Sequence, residues 1–262
     1  MNELDISIEA IYLRYMKRLT DKASFRAIND AISLLRRDEL RYANMICFMR
    51  NYPIESIDRI GDSLIVRGAS DRRWVYVSSP NRDELGTVVE RLTDRDLCFA
   101  AIEDWMVPAI VRKKTMAWHL SMVKLMLPEQ VALPQTYRFS ISPLSARDAD
   151  RIYEVSMYKA FTSPEYIRDR IERGVSAGIH ESGELVAWIM THDDCSIGVM
   201  HVLDAHRGRG YAHELTVYLI NELRRRKRIP FVHIEETNEK AISVVLGIGF
   251  VECGRMSWFE LK

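Results

Sequence analysis

The sequence has no Cys-x-x-Cys pair; its four cysteines, Cys47, Cys98, Cys195 and Cys253, lie far apart. Such spacing predicts free thiols in a reducing compartment. No uninterrupted apolar run approaches the roughly 20 residues of a membrane span. The opening Met1-Asn2-Glu3-Leu4-Asp5 is acidic and lacks the basic flank and apolar run of a secretory signal. A soluble cytoplasmic chain is therefore expected, without a membrane partner. There is no charge excess either: Lys plus Arg equals Asp plus Glu at 37 each, which argues against nucleic acid as a partner. Gly-x-x-x-x-Gly-Lys-Ser/Thr is absent, and so is Gly-x-Gly-x-x-Gly, which removes the two common nucleotide-loop readings. His201, His206, His213 and His233 form no helical His-x-x-x-His pair and have no adjoining Cys ligands, so no metal site is expected.

What is present is enough chain for one large or two ordinary domains, at 262 residues. Apolar residues at helical spacing predict helices over about Ile8–Leu19 and Ser24–Arg50, the second ended by Pro53. The period then shortens. Ser63–Arg67 and Trp74–Ser78 read as a hairpin, and Asn81 with Glu84 three residues on reads as a reciprocal helix cap. Leu97–Ile102 is predicted as strand, Asp104–Arg112 as helix and Met116–Leu127 as strand. Pro128 and Pro134 punctuate a polar break, which sets expected domains at 1–134 and 135–262.

Beyond the break the prediction is a strand at Tyr137–Ile141, then helices at Ser145–Met157 and Pro164–Arg173. Strands follow at Val175–Glu181, Glu184–Thr191 and Ser196–Leu203. The last strand runs into Asp204-Ala205-His206-Arg207-Gly208-Arg209-Gly210-Tyr211-Ala212, which opens a helix carrying Ala212, Leu215, Leu219 and Leu223 on one face. Glycines before a helix N-terminus allow backbone amides and the positive end of the helix dipole to meet an anion. A strand at Pro230–Glu235, a helix from Asn238 to Ile248 and a strand at Val251–Leu261 complete the chain.

Arg207-x-x-Gly210-x-Ala212 resembles the Arg/Gln-x-x-Gly-x-Gly/Ala signature of the GNAT superfamily of acyl-CoA N-acyltransferases. Asn238-x-x-Ala241-Ile242 … Gly249-Phe250 resembles that family's second motif, at the family's spacing. The resemblance covers about Tyr137 to Lys262. It implies a mixed-sheet α/β GNAT fold in the C-terminal half and acetyl-CoA or coenzyme A as cosubstrate, with a small-molecule or peptide amine as acceptor. It implies coenzyme contacts at Val202, Leu203, Asp204, Arg207, Gly208, Arg209, Gly210, Tyr211, Ala212 and Asn238. The succession hairpin, helix, strand, helix, strand occurs both from Ser63 and from Glu184. That repeat suggests a degenerate GNAT-like domain in the first half, where Ser78-Ser79-Pro80-Asn81 replaces the glycine loop; the alternative is an unrelated α+β domain. Tandem arrangements of this kind occur in the glycine N-acyltransferase-like members that the chain resembles.

Acyl transfer needs a base, a held thioester and a leaving thiolate. Glu235 and His201 are the candidate bases. Many family members place a Tyr general acid seven residues after the motif Asn; here that residue is Val245, which donates no proton. A non-catalytic acyl-CoA-binding protein is thus the alternative to an enzyme. The run Arg224–Arg228 is either a solvated helix end or a contact for phosphate or nucleic acid.

Overall fold

The computed structural model describes residues 23–112 and 114–262, so the helix predicted over Ile8–Leu19 lies outside the described residues. The chain divides into two compact units. The first runs to His119 and takes back Ser257–Lys262; the second is Leu120–Met256.

The first unit begins with helices α1 (Phe25–Leu35) and α2 (Glu39–Asn51), where the apolar pattern predicts one long helix. The break has a local cause. Asp38 leaves the helical region and its carboxylate accepts from the Arg41 amide at 3.3 Å, capping a new helix. Strands β1 (Ile54–Ile60), β2 (Ser63–Ala69) and β3 (Arg73–Ser78) form an antiparallel meander, of which β1 is not legible as a strand in the sequence. Helix α3 (Arg82–Arg91), strand β4 (Cys98–Glu103), the short α4 (Val107–Val111) and the start of β5 (Met116–Met126) follow. The strand order is β1-β2-β3-β4, then β11 (Val251–Leu261), which gives its last residues to this unit. Alternation along β2 and β3 buries Ile65, Val75 and Val77 against Leu85, Val88, Phe99 and Phe259.

The second unit contains β6 (Ile141–Ser142), α5 (Ala149–Val155), α6 (Pro164–Arg173), β7 (Ser176–Glu181), β8 (Glu184–Thr191) and β9 (Ile197–Val202). Helix α7 (Tyr211–Arg225), β10 (Phe231–Glu235) and α8 (Glu239–Ile248) complete it. Its strand order is β11-β5-β10-β9-β8-β7-β6. Ser182 and Gly183 both take positive φ, 51° and 85°, the signature of a two-residue hairpin turn between β7 and β8. Gly249 ends α8 at φ +108°, the left-handed cap that glycine adopts without penalty.

Helix α7 buries Leu215, Leu219, Ile220 and Leu223 completely on one side of the sheet, each worth roughly 1.5–3 kcal/mol. Helices α5 and α6 cover the other side through Ile152 and Ile167, packed on Trp188 and Met190.

Three expectations are corrected. Only Ile141–Ser142 forms strand where Tyr137–Ile141 was expected. The side chains before it dock on α7 instead: the Tyr137 hydroxyl accepts from Asn221, and Phe139 packs edge-on against Tyr211. Glu84 does not complete a reciprocal cap. Asn81 caps α3, but Glu84 accepts from the Asp62 and Ser63 amides at 3.0 and 2.9 Å. Arg224 is not a solvated helix end, because its guanidinium donates to the carbonyls of Val131 and Pro128 at 2.7 and 2.9 Å, holding the proline-marked segment against α7. The free thiols expected at Cys98 and Cys253 are found.

Candidate functional site

The site begins with an irregularity in β9. Ile197 and Gly198 pair with Thr191 and Met190 of β8, and His201 and Val202 pair with Trp188 and Ala187. Two residues, Val199 and Met200, thus oppose one, Ile189: a β-bulge. Val199 sits at φ +47°, a region that a β-branched residue enters only at a cost of about 1–2 kcal/mol. Strand β10 stays paired with β5 along its whole length, Phe231 to Glu235. With β9 it pairs in parallel at a single position, Ile197 with Val232. Beyond that point the two strands share no further ladder pair among the described residues. Both backbones therefore border a cleft that opens toward the C-terminal ends of parallel strands, where ligands of α/β sheets sit.

At the end of β9 the chain makes a single turn of 3₁₀ helix, Asp204–His206. The Arg207 amide is engaged by Asp204 oxygen at 3.3 Å, so it is a weaker anion donor than the motif suggests. Gly208 and Gly210 then take φ +77° and +90°. The first helical bond of α7 runs from the Glu214 amide to Gly210 oxygen. The amides of Tyr211, Ala212 and His213 thus precede any intrahelical partner, and with the two glycines they form a backbone nest at the positive end of a 15-residue helix.

The arginine side chains are tethered rather than free. Arg207 donates to Val202 oxygen at 3.2 Å and pairs with Asp204 at 2.7 Å, and Arg209 pairs with Glu181 at 3.3 Å. The cradle is a backbone device. A cation from outside the motif does approach it. A Cβ on Gly210 would lie 2.5 Å from Arg138 Nη2, and Arg138 is itself held by Glu214 at 3.1 Å.

Strand alternation places both candidate bases on one face. Val232 and Ile234 enter the core under α7, so Glu235 projects to the α5–α6 side. His201 lies on that side too, stacked on Trp188 with ring centroids 4.9 Å apart. Burial lowers the His201 pKa, the Arg207 charge lowers it further and Asp204 opposes both; the imidazole is neutral at pH 7 and able to take a proton. Glu235 reaches Tyr158, in the loop between α5 and α6. Burial raises that phenol's pKa first, and the hydrogen bond and charge of Glu235 raise it further. Nothing in the sequence marks Tyr158, because loop residues that meet a strand end carry no periodicity.

Asn238 caps α8, accepting from the Ala241 amide at 3.2 Å. Val245 is buried in the core under α7 and α8, so its position offers no acid to the cleft. Of the remaining motif residues, Leu203 closes the β-ladder by donating to Val186 oxygen at 2.9 Å, and Ala212 oxygen accepts from Thr216 at 2.7 Å. Among the described residues no group of three or more His, Cys, Asp or Glu gathers as a metal site would.

The first unit repeats the splay. Strands β3 and β4 pair in parallel at Trp74–Cys98 and Val75–Phe99 alone, and Ala101 takes φ +51°. Arg41 then spans the gap, donating to Ser79 oxygen at 3.2 Å and to Glu103 at 2.5 and 2.8 Å. The helix N-terminus is capped by Asn81 at the Glu84 amide and carries Asp83 and Glu84 in its first turn, so an anion finds an unfavourable charge there.

The family model described as FR47-like protein matches residues 174–259. No curated protein matches the chain. Among solved structures, a protein of Drosophila malonogaster is 16% identical with a TM-score of 0.75, the match covering 92% of this chain and 97% of that one. A GCN5-related N-acetyltransferase from Kribbella flavida is 10% identical, with TM-score 0.56 over 86% of this chain and 98% of that one. A GCN5-related N-acetyltransferase-like protein from Streptococcus suis is 11% identical, with TM-score 0.54 over 90% and 100%. At such identities the likeness is one of fold. The bulged strand, the single-point parallel pairing and the matched segment agree: the chain has a GNAT-like mixed α/β fold, and residues 174–259 of its C-terminal half are similar to the FR47-like family.

Proposed function

We propose that the second unit is an acyl-CoA-dependent N-acyltransferase that moves acetyl from acetyl-CoA directly to a primary amine of a small-molecule or peptide acceptor. The observation that carries this reading is the cleft between β9 and β10, which opens beside an anion cradle at the α7 N-terminus. The residues fit the coenzyme's chemistry. Two left-handed glycines and the first amides of a long helix suit a pyrophosphate, and the unpaired edges of β9 near Val202 and Leu203 suit an amide-containing pantetheine arm. Asn238, the cap of α8, follows β10 by three residues.

In the reaction the amine nitrogen attacks the thioester carbonyl. A C–N bond forms, the C–S bond breaks, and sulfur leaves with the electron pair. Glu235 takes the amine proton in this reading, with neutral His201 as the second acceptor on the same face. A thiol of pKa about 8.5 is a tolerable leaving group as thiolate, so the buried Val245 need not silence the site. Val245 is also the observation that favours the second reading, a protein that binds acyl-CoA without turning it over.

Calorimetry with acetyl-CoA is expected to give one site per chain, since Arg41 and Glu84 fill the counterpart in the first unit. Thiol release on a panel of amines should show turnover, and Glu235→Gln should lower kcat by about 10²–10⁴. Binding without turnover on any amine favours the second reading; absence of binding overturns both.

A further inference from the structure

We propose that Glu181, at the end of β7, is the positioning residue that holds the anion loop in its binding conformation. The proposal rests on the reading of Gly208–Ala212 as the coenzyme's phosphate site. One carboxylate meets three residues of the loop and accepts hydrogen bonds from two of them, Arg209 and Tyr211. His206 Nδ1 lies 3.1 Å from it, Arg209 Nη1 donates to both its oxygens at 3.3 Å, and the Tyr211 hydroxyl donates to Oε1. These residues bracket Gly208 and Gly210, the two positions whose positive φ shapes the nest.

The loop's other hydrogen bonds are local, running back to Val202, Leu203, Asp204 and Ala205 within the same segment. A Cβ on Gly208 would meet nothing within 4 Å, and the Arg207–Asp204 pair is exposed on both sides. Tyr211 supplies the firm end, buried at 3% exposure against Phe139, so its hydroxyl fixes the carboxylate and the carboxylate fixes Arg209. Glu181 also sits next to a two-residue turn that sets its register on β8.

A carboxylate beside an anion site invites the opposite expectation. Taken as a bare charge, it repels phosphate, and its removal would tighten binding. Here the charge faces Arg209, so removal would free a loop arginine but lose the geometry of the amides. The two accounts predict effects of opposite sign.

The test uses the full chain with Glu181→Ala and Glu181→Gln, and coenzyme A as the probe. Positioning predicts that Glu181→Ala weakens coenzyme A about tenfold, the scale of one lost charge-assisted hydrogen bond. KM for acetyl-CoA should rise by a similar factor with a much smaller fall in kcat. Glu181→Gln, which keeps an acceptor for Tyr211, should fall between. Hydrogen exchange at residues 203–213, measured without ligand, should accelerate in Glu181→Ala, while amides of the α7 core stay protected. Unchanged or tighter coenzyme binding, or unchanged exchange in the loop, overturns the proposal. Should the wild-type chain fail to bind coenzyme A, the functional reading falls, and the exchange measurement alone decides the role of Glu181.

Discussion

Replacing Gly210 with valine is expected to abolish saturable coenzyme A binding, weakening Kd by at least about a hundredfold, or roughly 2.7 kcal/mol. Two costs combine. At φ +90° an L-residue loses about 1–2 kcal/mol, and a β-branched side chain loses more. The added Cβ also lies 2.5 Å from Arg138 Nη2, and Arg138 is anchored at its own amide and its guanidinium by Glu214. The guanidinium end can swing away, but the valine methyls then occupy the approach to the amides of Tyr211 and Ala212. Gly208→Ala is the graded control. It carries backbone strain at φ +77° with no neighbour to meet, and is expected to weaken binding about tenfold. Calorimetry with coenzyme A, run beside thermal melts of each variant, reads the difference. Binding by Gly210→Val within threefold of wild type would show that the loop is not the phosphate site.

The second large effect belongs to stability. Asp96→Ala should destabilise the first unit by about 3–5 kcal/mol, the usual result of stripping one partner from a buried ion pair. Arg67 binds Asp96 with two parallel hydrogen bonds of 2.7 and 2.8 Å, and Asp58 with a third of 2.7 Å. The Asp96 side chain is fully buried and that of Arg67 is 6% exposed, so the variant leaves a guanidinium out of water with Asp58 as its one remaining short partner, beside longer bonds to Ser56 and Arg91 oxygen. Burial alone would raise the Asp96 pKa; the Arg67 hydrogen bonds and the Thr93 amide outweigh it, and the net shift is downward. The sign of the pH dependence follows. A folded-state pKa below the unfolded value of about 3.9 adds stability above that value, and the contribution fades as pH falls through the folded pKa. Urea midpoints measured from pH 7 to pH 3 should therefore drop at the acid end in wild type, and Asp96→Asn should lack that component. A midpoint shift under 1 kcal/mol for Asp96→Ala at pH 7 would contradict this account.

The features legible in the sequence were those written in local pattern. Pro164 at the start of α6, Ser182-Gly183, Gly249 and the continuous apolar run of β8 each follow from a propensity or a backbone requirement, and each appears in the structure. The glycine loop was legible for the same reason, since positive φ selects its residue. What escaped was non-local. Strand β1 alternates weakly and owes its existence to pairing with β2. The bulge at Val199 goes against propensity, since nothing about valine announces a left-handed residue. Arg138, Tyr158 and Glu181 come from segments far from the motifs, brought together by the sheet rather than by spacing. The arginines of the motif illustrate the converse. Arg207 and Arg209 have the right charge for a phosphate, yet their side chains are spent on Val202, Asp204 and Glu181.

The complete ladder between β10 and β5 has a practical consequence for dissecting the chain. The family-model match spans 174–259, but every residue of β10 from Phe231 to Glu235 is paired with Met122–Met126, which lie outside it. Excised at the match boundaries, the fragment would expose the edge of β10 and lose α5, whose Ile152 shields Trp188. Homology limits and folding limits therefore differ here. Any autonomous piece has to include Met122–Met126, and a fragment trimmed by sequence similarity is expected to aggregate.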